Sequence, residues 1–196
     1  MLALGAAAFF FTALAASGQT AEADAISVLG VKNPLLVSAA NDAFTRALRK
    51  LANPGCQRIF TDFHDPKGRP LQVHLDSLGR TAPDFLRILR FANGDHADFC
   101  QSRGVLAATT PLSHVIFLCG ARFFEKEHRD PEFAASLVIH EMLHSLGLGE
   151  NPPTSLEITS RVIERCGTAG IDEEAGATAQ LRLSAPTAPG LLRIRP

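Results

Sequence analysis

The chain has 196 residues, 46% of them hydrophobic and 20% charged, with a formal charge of −1 at pH 7. That length suits one domain of about 100–200 residues with flanking segments, and the balance excludes a collagen-like repeat, wholesale disorder and a polytopic membrane protein. Near-neutrality leaves no long-range field to gather nucleic acid or an anionic bilayer, so neither is an expected partner. Tyr and Trp are absent while Phe numbers 13, so the aromatic core must be phenylalanine and no chemistry can call on a tyrosine hydroxyl.

From Leu2 to Ala16 the chain reads LALGAAAFFFTALAA, without a charge, and the small residues Ala15, Ala16, Ser17 and Gly18 form a cleavage-site pattern. This fits a secretory signal peptide and falls short of the roughly 20 apolar residues of a membrane span. The expected organisation is a signal peptide over 1–23, a folded domain over 24–167 and a disordered tail over 168–196. The protein is then secreted or periplasmic, with no stable membrane span after leader removal. Cys56, Cys100, Cys119 and Cys166 all follow the leader. An even number suits two disulfides in an oxidising compartment, with three connectivities open.

Helical spacing of Phe44, Ala47, Leu48 and Leu51 after Ser38 predicts a helix over 39–52, stopped by Asn53-Pro54-Gly55. A turn-rich stretch, CQRIFTDFHDPKGRP, precedes a short helical pattern from Leu71 to Leu78. Thr81 and Asp84 mark the start of another helix, running to about Arg90 with its stop at Asn93-Gly94. VLAATT (105–110) and HVIFLC (114–119), separated by Pro-Leu-Ser, read as a β-hairpin. EKEHRD (125–130) reads as a charged loop. Asp130 and Pro131 then open a helix through EFAASLVIHEMLHSL to Gly147, and Thr154 opens a last one, capped by Glu157 and running to Gly167.

Residues 140–144 are His-Glu-Met-Leu-His. On a helix, residues four apart share a face about 6 Å apart along the axis, so His140 and His144 can reach one zinc ion while Glu141 lies at the margin of that face as a base. Zinc lowers the pKa of a bound water from near 16 to roughly 7, which makes a nucleophile available at neutral pH. Gly147 allows a sharp turn after the helix, and Glu150, ten residues after His140, is the nearest candidate for a third ligand. Glu157 and Glu164 compete with it. Glu157 has a capping role, and both lie opposite the apolar side (Leu156, Ile158, Val162, Ile163, Cys166) of the last helix.

The stretch H140-E-M-L-H144-S-L-G147-L-G-E150 resembles the extended metal-binding motif of the zincin metallopeptidases, with Glu where the metzincin pattern usually has His. The resemblance implies a small α+β zincin-like domain with an antiparallel sheet and an active-site helix, and an edge strand above the cleft, for which HVIFLC is the candidate. It further implies zinc as cofactor, a peptide or protein substrate, and Glu141 as general base. Met1 and Met142 are the only methionines, so no Met-turn follows the motif, and the resemblance is to a small, divergent member. The spacing of Glu164 after His144 is that of the helical third ligand in thermolysin-like enzymes.

The expected function is that of a secreted zinc-dependent metallopeptidase. The alternative is a noncatalytic secreted binding or structural module, with or without zinc, and a hydrolase of non-peptide amides is a third reading. Asp62, His64 and Asp65, and likewise Asp95, His96 and Asp98, read as solvated loop clusters. His114 and Arg122, at the two ends of the predicted edge strand, read as surface residues with a lesser option as oxyanion donors. No nucleophile elbow or phosphate-binding glycine loop is present.

Overall fold

A computed structural model describes residue 26 and residues 28–167; the expected leader and tail lie outside the described residues. After β1 (Val28–Leu29), helix α1 (Pro34–Leu51) begins earlier than the apolar spacing suggests. Asn33 accepts a hydrogen bond from Leu35 N and Pro34 occupies the first turn, so this cap overrides Ser38. The turn-rich stretch contains two single-turn helices, α2 (Pro54–Gln57) and α3 (Ile59–Asp62), before α4 (Leu71–Ser77) and α5 (Ala82–Ile88). The Thr81 side chain caps α5 through Asp84 N, as its sequence indicated.

Helix α5 ends at Ile88, and Arg90–Asn93, expected as the end of that helix, form strand β2. Four residues carry too few alternations for a period-2 signal. Tertiary pairing decides the outcome: β2 lies between β1 and β4 (Val115–Leu118), parallel to both. Short α6 (Asp98–Gln101) and β3 (Ala107–Ala108) precede β4, and β3 pairs antiparallel with it, Ala107 opposite Leu118 and Ala108 opposite Phe117. The sheet is therefore mixed, in the order β1-β2-β4-β3, and only the expected hairpin is antiparallel. Strand β4 is interior, and the edge beyond it is β3.

The charged run expected as a loop is the last turn of α7 (Gly120–Arg129), whose cap is remote in sequence: Asp95 Oδ1 accepts from Gly120 N at 2.7 Å. Helix α8 (Pro131–Ser145) follows, with Asp130 capping Phe133 N, and α9 (Ser155–Cys166) begins with the full Thr154/Glu157 capping box. Helix α8 packs on α1, α7 and α9, and its buried residues occupy every face of its second half. The fold class is α+β. The core is phenylalanine-rich as composition requires: Phe44, Phe60, Phe85, Phe91 and Phe123 are fully buried, with Phe44 edge-on to Phe91.

All four cysteines are paired, Cys56 with Cys166 and Cys100 with Cys119. The first pair fixes the end of α9 to α2. Buried Lys50 reinforces that corner, donating to Cys166 O and pairing with Glu132 of α8 at 2.7 Å. Among the described residues, no helix is long and apolar enough to cross a membrane.

Candidate metal centre

Helix α8 is the central helix, so any polar side chain on its inner turns must find a partner or cost stability. His140, Glu141, His144 and Ser145 are all buried there. The four-residue spacing brings the imidazoles together, with His140 Nε2 and His144 Nε2 3.1 Å apart. Their other ring nitrogens are engaged from outside the helix. His140 Nδ1 lies 2.9 Å from Thr159 Oγ1 on α9, and His144 Nδ1 lies 2.8 Å from Leu148 O. A carbonyl can only accept, so His144 carries a proton on Nδ1, and in the neutral imidazole this tautomer leaves the Nε2 lone pair for a ligand.

Leu148 reaches that position through the end of α8. Gly147 has φ +104°, its N–H donates to His144 O, and Leu148 N donates to Leu143 O. This pair of bonds is a Schellman motif, which needs a left-handed residue just past the helix. A Cβ at Gly147 would also lie 3.0 Å from Leu112 Cδ2. The turn then returns the chain toward the histidines, and Glu150 Oε1 sits 3.7 Å from His144 Nε2 and 4.0 Å from His140 Nε2.

His140, His144 and Glu150 thus form a group whose ligand atoms all lie within 4.8 Å of one another, able to hold a metal ion. Two nitrogens each about 2.0 Å from one tetrahedral ion are about 3.3 Å apart, close to the separation of the two Nε2 atoms. Burial, with a smaller push from His144, drives His140 down to about 3, so its imidazole is in the neutral, ligating form at neutral pH. Glu157 and Glu164 are occupied elsewhere: Glu157 Oε2 accepts from Thr154 N, and Glu164 pairs with Arg161. Of the three competing carboxylates, Glu150 is the one the fold brings to the histidines.

Glu141 lines the same cleft. Burial raises its carboxyl to about 8, opposed by the Thr109 hydroxyl and assisted by Glu150. Its Oε2 is buried with no hydrogen-bond partner among the described residues. The cleft measures about 420 Å³. Edge strand β3 and Thr109 form one wall, α8 and the first turn of α9 another, and Phe99, Leu106, Phe133 and Leu137 supply its apolar surface. The edge strand at the cleft is therefore β3, and HVIFLC lies behind it.

The remaining sequence candidates lie elsewhere. His114 packs edge-on against Phe85, and Arg122 donates to Ser102 O and Cys100 O, pinning the end of α6, the short helix that carries Phe99. Asp65, expected as solvated, is buried and accepts from Lys67 N, Arg69 N and Arg69 Nε, with His74 Nε2 at 3.0 Å. Asp62 pairs with Arg165. Sequence reasoning missed Thr159, Leu148 and Thr109. Each reaches the site through packing of separate elements or through a backbone carbonyl, and neither leaves a spacing signal.

No family model, curated protein or solved structure matches the chain.

Proposed function

We propose that the protein is a secreted or periplasmic zinc-dependent metallopeptidase, a small and divergent relative of the zincins. The observation that carries this reading is the convergence of His140, His144 and Glu150 beside the buried carboxyl of Glu141, whose Oε2 has no hydrogen-bond partner among the described residues, in an open cleft. Two imidazoles and one carboxylate suit zinc, and both histidines are oriented by outside partners, as ligating histidines are. Zinc held there would supply Lewis acidity toward a carbonyl oxygen and acidify an attacking water.

The chain's own groups do the rest. Glu141 takes the proton of the water as its oxygen bonds to the carbonyl carbon, then delivers it to the departing amide nitrogen as the C–N bond breaks. The free edge of β3 would align an extended peptide by backbone hydrogen bonds, which favours a peptide over a small amide. Both disulfides are compatible with an oxidising compartment.

The test is the zinc content of the purified protein beside that of His144→Ala, followed by a peptide-library digest with wild type and Glu141→Gln. About one zinc per chain, lost in His144→Ala, and cleavage abolished in a Glu141→Gln variant that keeps its zinc, are expected. A well-folded wild type that binds no zinc, or a zinc-loaded one that cleaves no peptide, defeats the proposal. The latter result would favour the binding module.

A further inference from the structure

Buried side-chain oxygens without a hydrogen bond are uncommon, because each costs about 1–3 kcal/mol of desolvation. Two of those in the described residues, Thr109 Oγ1 and Glu141 Oε2, line the same cleft wall where β3 meets α8. Neither oxygen has a hydrogen-bond partner among the described residues, although both residues face the same space. Local rules are broken in this way where a site needs groups held ready.

Thr109 is well placed to be held ready. It directly follows the two residues of β3 that are locked to β4, so its backbone is fixed, and its β-branched side chain has few rotamers. The other hydroxyls lining the cleft are spoken for or distant in character: Thr159 is engaged with His140 Nδ1, and Ser155 is an exposed residue of the first turn of α9. With no tyrosine in the chain, Thr109 is the hydroxyl left to serve the base.

We propose that Thr109 is a positioning residue for Glu141: its hydroxyl donates to one carboxylate oxygen and thereby turns the other toward the attacking water. The inference rests on the peptidase reading. Hydrogen bonds of this kind are commonly long in the free protein and tighten when substrate fills the cleft. The hydroxyl keeps its proton throughout, so the balance of the hydrolysis is unchanged.

The experiment compares wild type, Thr109→Val and Thr109→Ser for zinc content, urea unfolding, and kcat and KM on a peptide that wild type cleaves. Thr109→Val is expected to keep its zinc and to unfold at the same or a higher urea concentration, since a methyl replaces an unsatisfied hydroxyl of the same shape. Its kcat should fall about tenfold, the worth of about one hydrogen bond, with KM changed less than about twofold. Thr109→Ser should recover most of the lost kcat. Wild-type kcat in Thr109→Val overturns the proposal. So does a loss of stability that accompanies the loss of kcat, which would make the hydroxyl structural. Zinc-loaded wild type without turnover overturns the peptidase reading, and the Thr109 role falls with it.

Discussion

Glu141→Gln separates the cost of burying this carboxyl from its chemistry. In the metal-free protein, burial moves Glu141 from 4.5 to about 8. Below about pH 4 both folded and unfolded states are protonated, and the residue costs nothing. As pH rises from about 4.5 to 8, the unfolded chain gives up the proton while the folded chain keeps it, so stability falls with pH; above about 8 the full cost is present. At 1.36 kcal/mol for each tenfold change in proton affinity, the displacement is worth at most about 5 kcal/mol, and about 2–4 kcal/mol with water entering the cleft. Glutamine has the same shape and no such slope. Urea unfolding of chelator-treated wild type and variant, disulfides intact, should give coincident stabilities near pH 4 and a variant more stable by about 2–4 kcal/mol near pH 9. Saturating zinc should narrow that gap, because a nearby cation favours the carboxylate. Parallel stability curves in the metal-free proteins would refute the reasoning, for they would mean that the carboxyl is already hydrated and ionised in the folded state.

Other outcomes follow from the same geometry. Thr159→Val removes the partner of His140 Nδ1, so zinc affinity measured by competition with a chromophoric chelator should fall about 10–100-fold, with Thr159→Ser closer to wild type. Gly147→Ala forces a side chain onto φ +104° and against Leu112; a loss of about 1–3 kcal/mol in urea unfolding and weaker zinc binding are expected, since Leu148 O moves with that turn. Asp65 is held well below the ordinary carboxylate range, chiefly by the Arg69 N–H and further by the His74 and Arg69 side chains and the Lys67 N–H. Its stabilisation is therefore present above about pH 4 and lost as pH falls below it, so Asp65→Asn should destabilise at neutral pH by an amount that shrinks in acid. Replacing Cys56 and Cys166 with Ser opens a link between residues 110 apart and should cost about 2–5 kcal/mol in denaturant unfolding.

The helices that sequence placed well are those with local start signals. Asp130-Pro131, Thr81 with Asp84, and Thr154 with Glu157 each cap the helix they announce, because the capping bond spans only three residues. The misplaced elements depend on distant partners. Arg90–Asn93 is a strand because Phe91 pairs between β1 and β4 and packs on Phe44. The first turn of α7 is capped by Asp95, 25 residues upstream, so nothing adjacent marks it. On α9, apolar content overstated the buried face: Leu156 and Ile163 are exposed, and Ile158, Val162 and Cys166 alone face the core.

The candidate site divides along the same line. His140, Glu141 and His144 were legible because helical geometry alone places them, and Glu150 because Gly147 supplies the one backbone conformation that returns the chain within a turn of the helix end. The choice between Glu150, Glu157 and Glu164 was open on spacing and turns on where each carboxylate spends its hydrogen bonds. Thr154 N–H holds Glu157 and Arg161 holds Glu164, whereas Glu150 faces two imidazole nitrogens and has no other ion pair among the described residues. The partners that orient the histidines, Thr159 and Leu148 O, belong to a helix and a turn that meet α8 only in the folded chain. The candidate metal centre is therefore half local and half tertiary: the two histidines follow from periodicity and Glu150 from the glycine turn, whereas the groups that orient the imidazoles follow from packing.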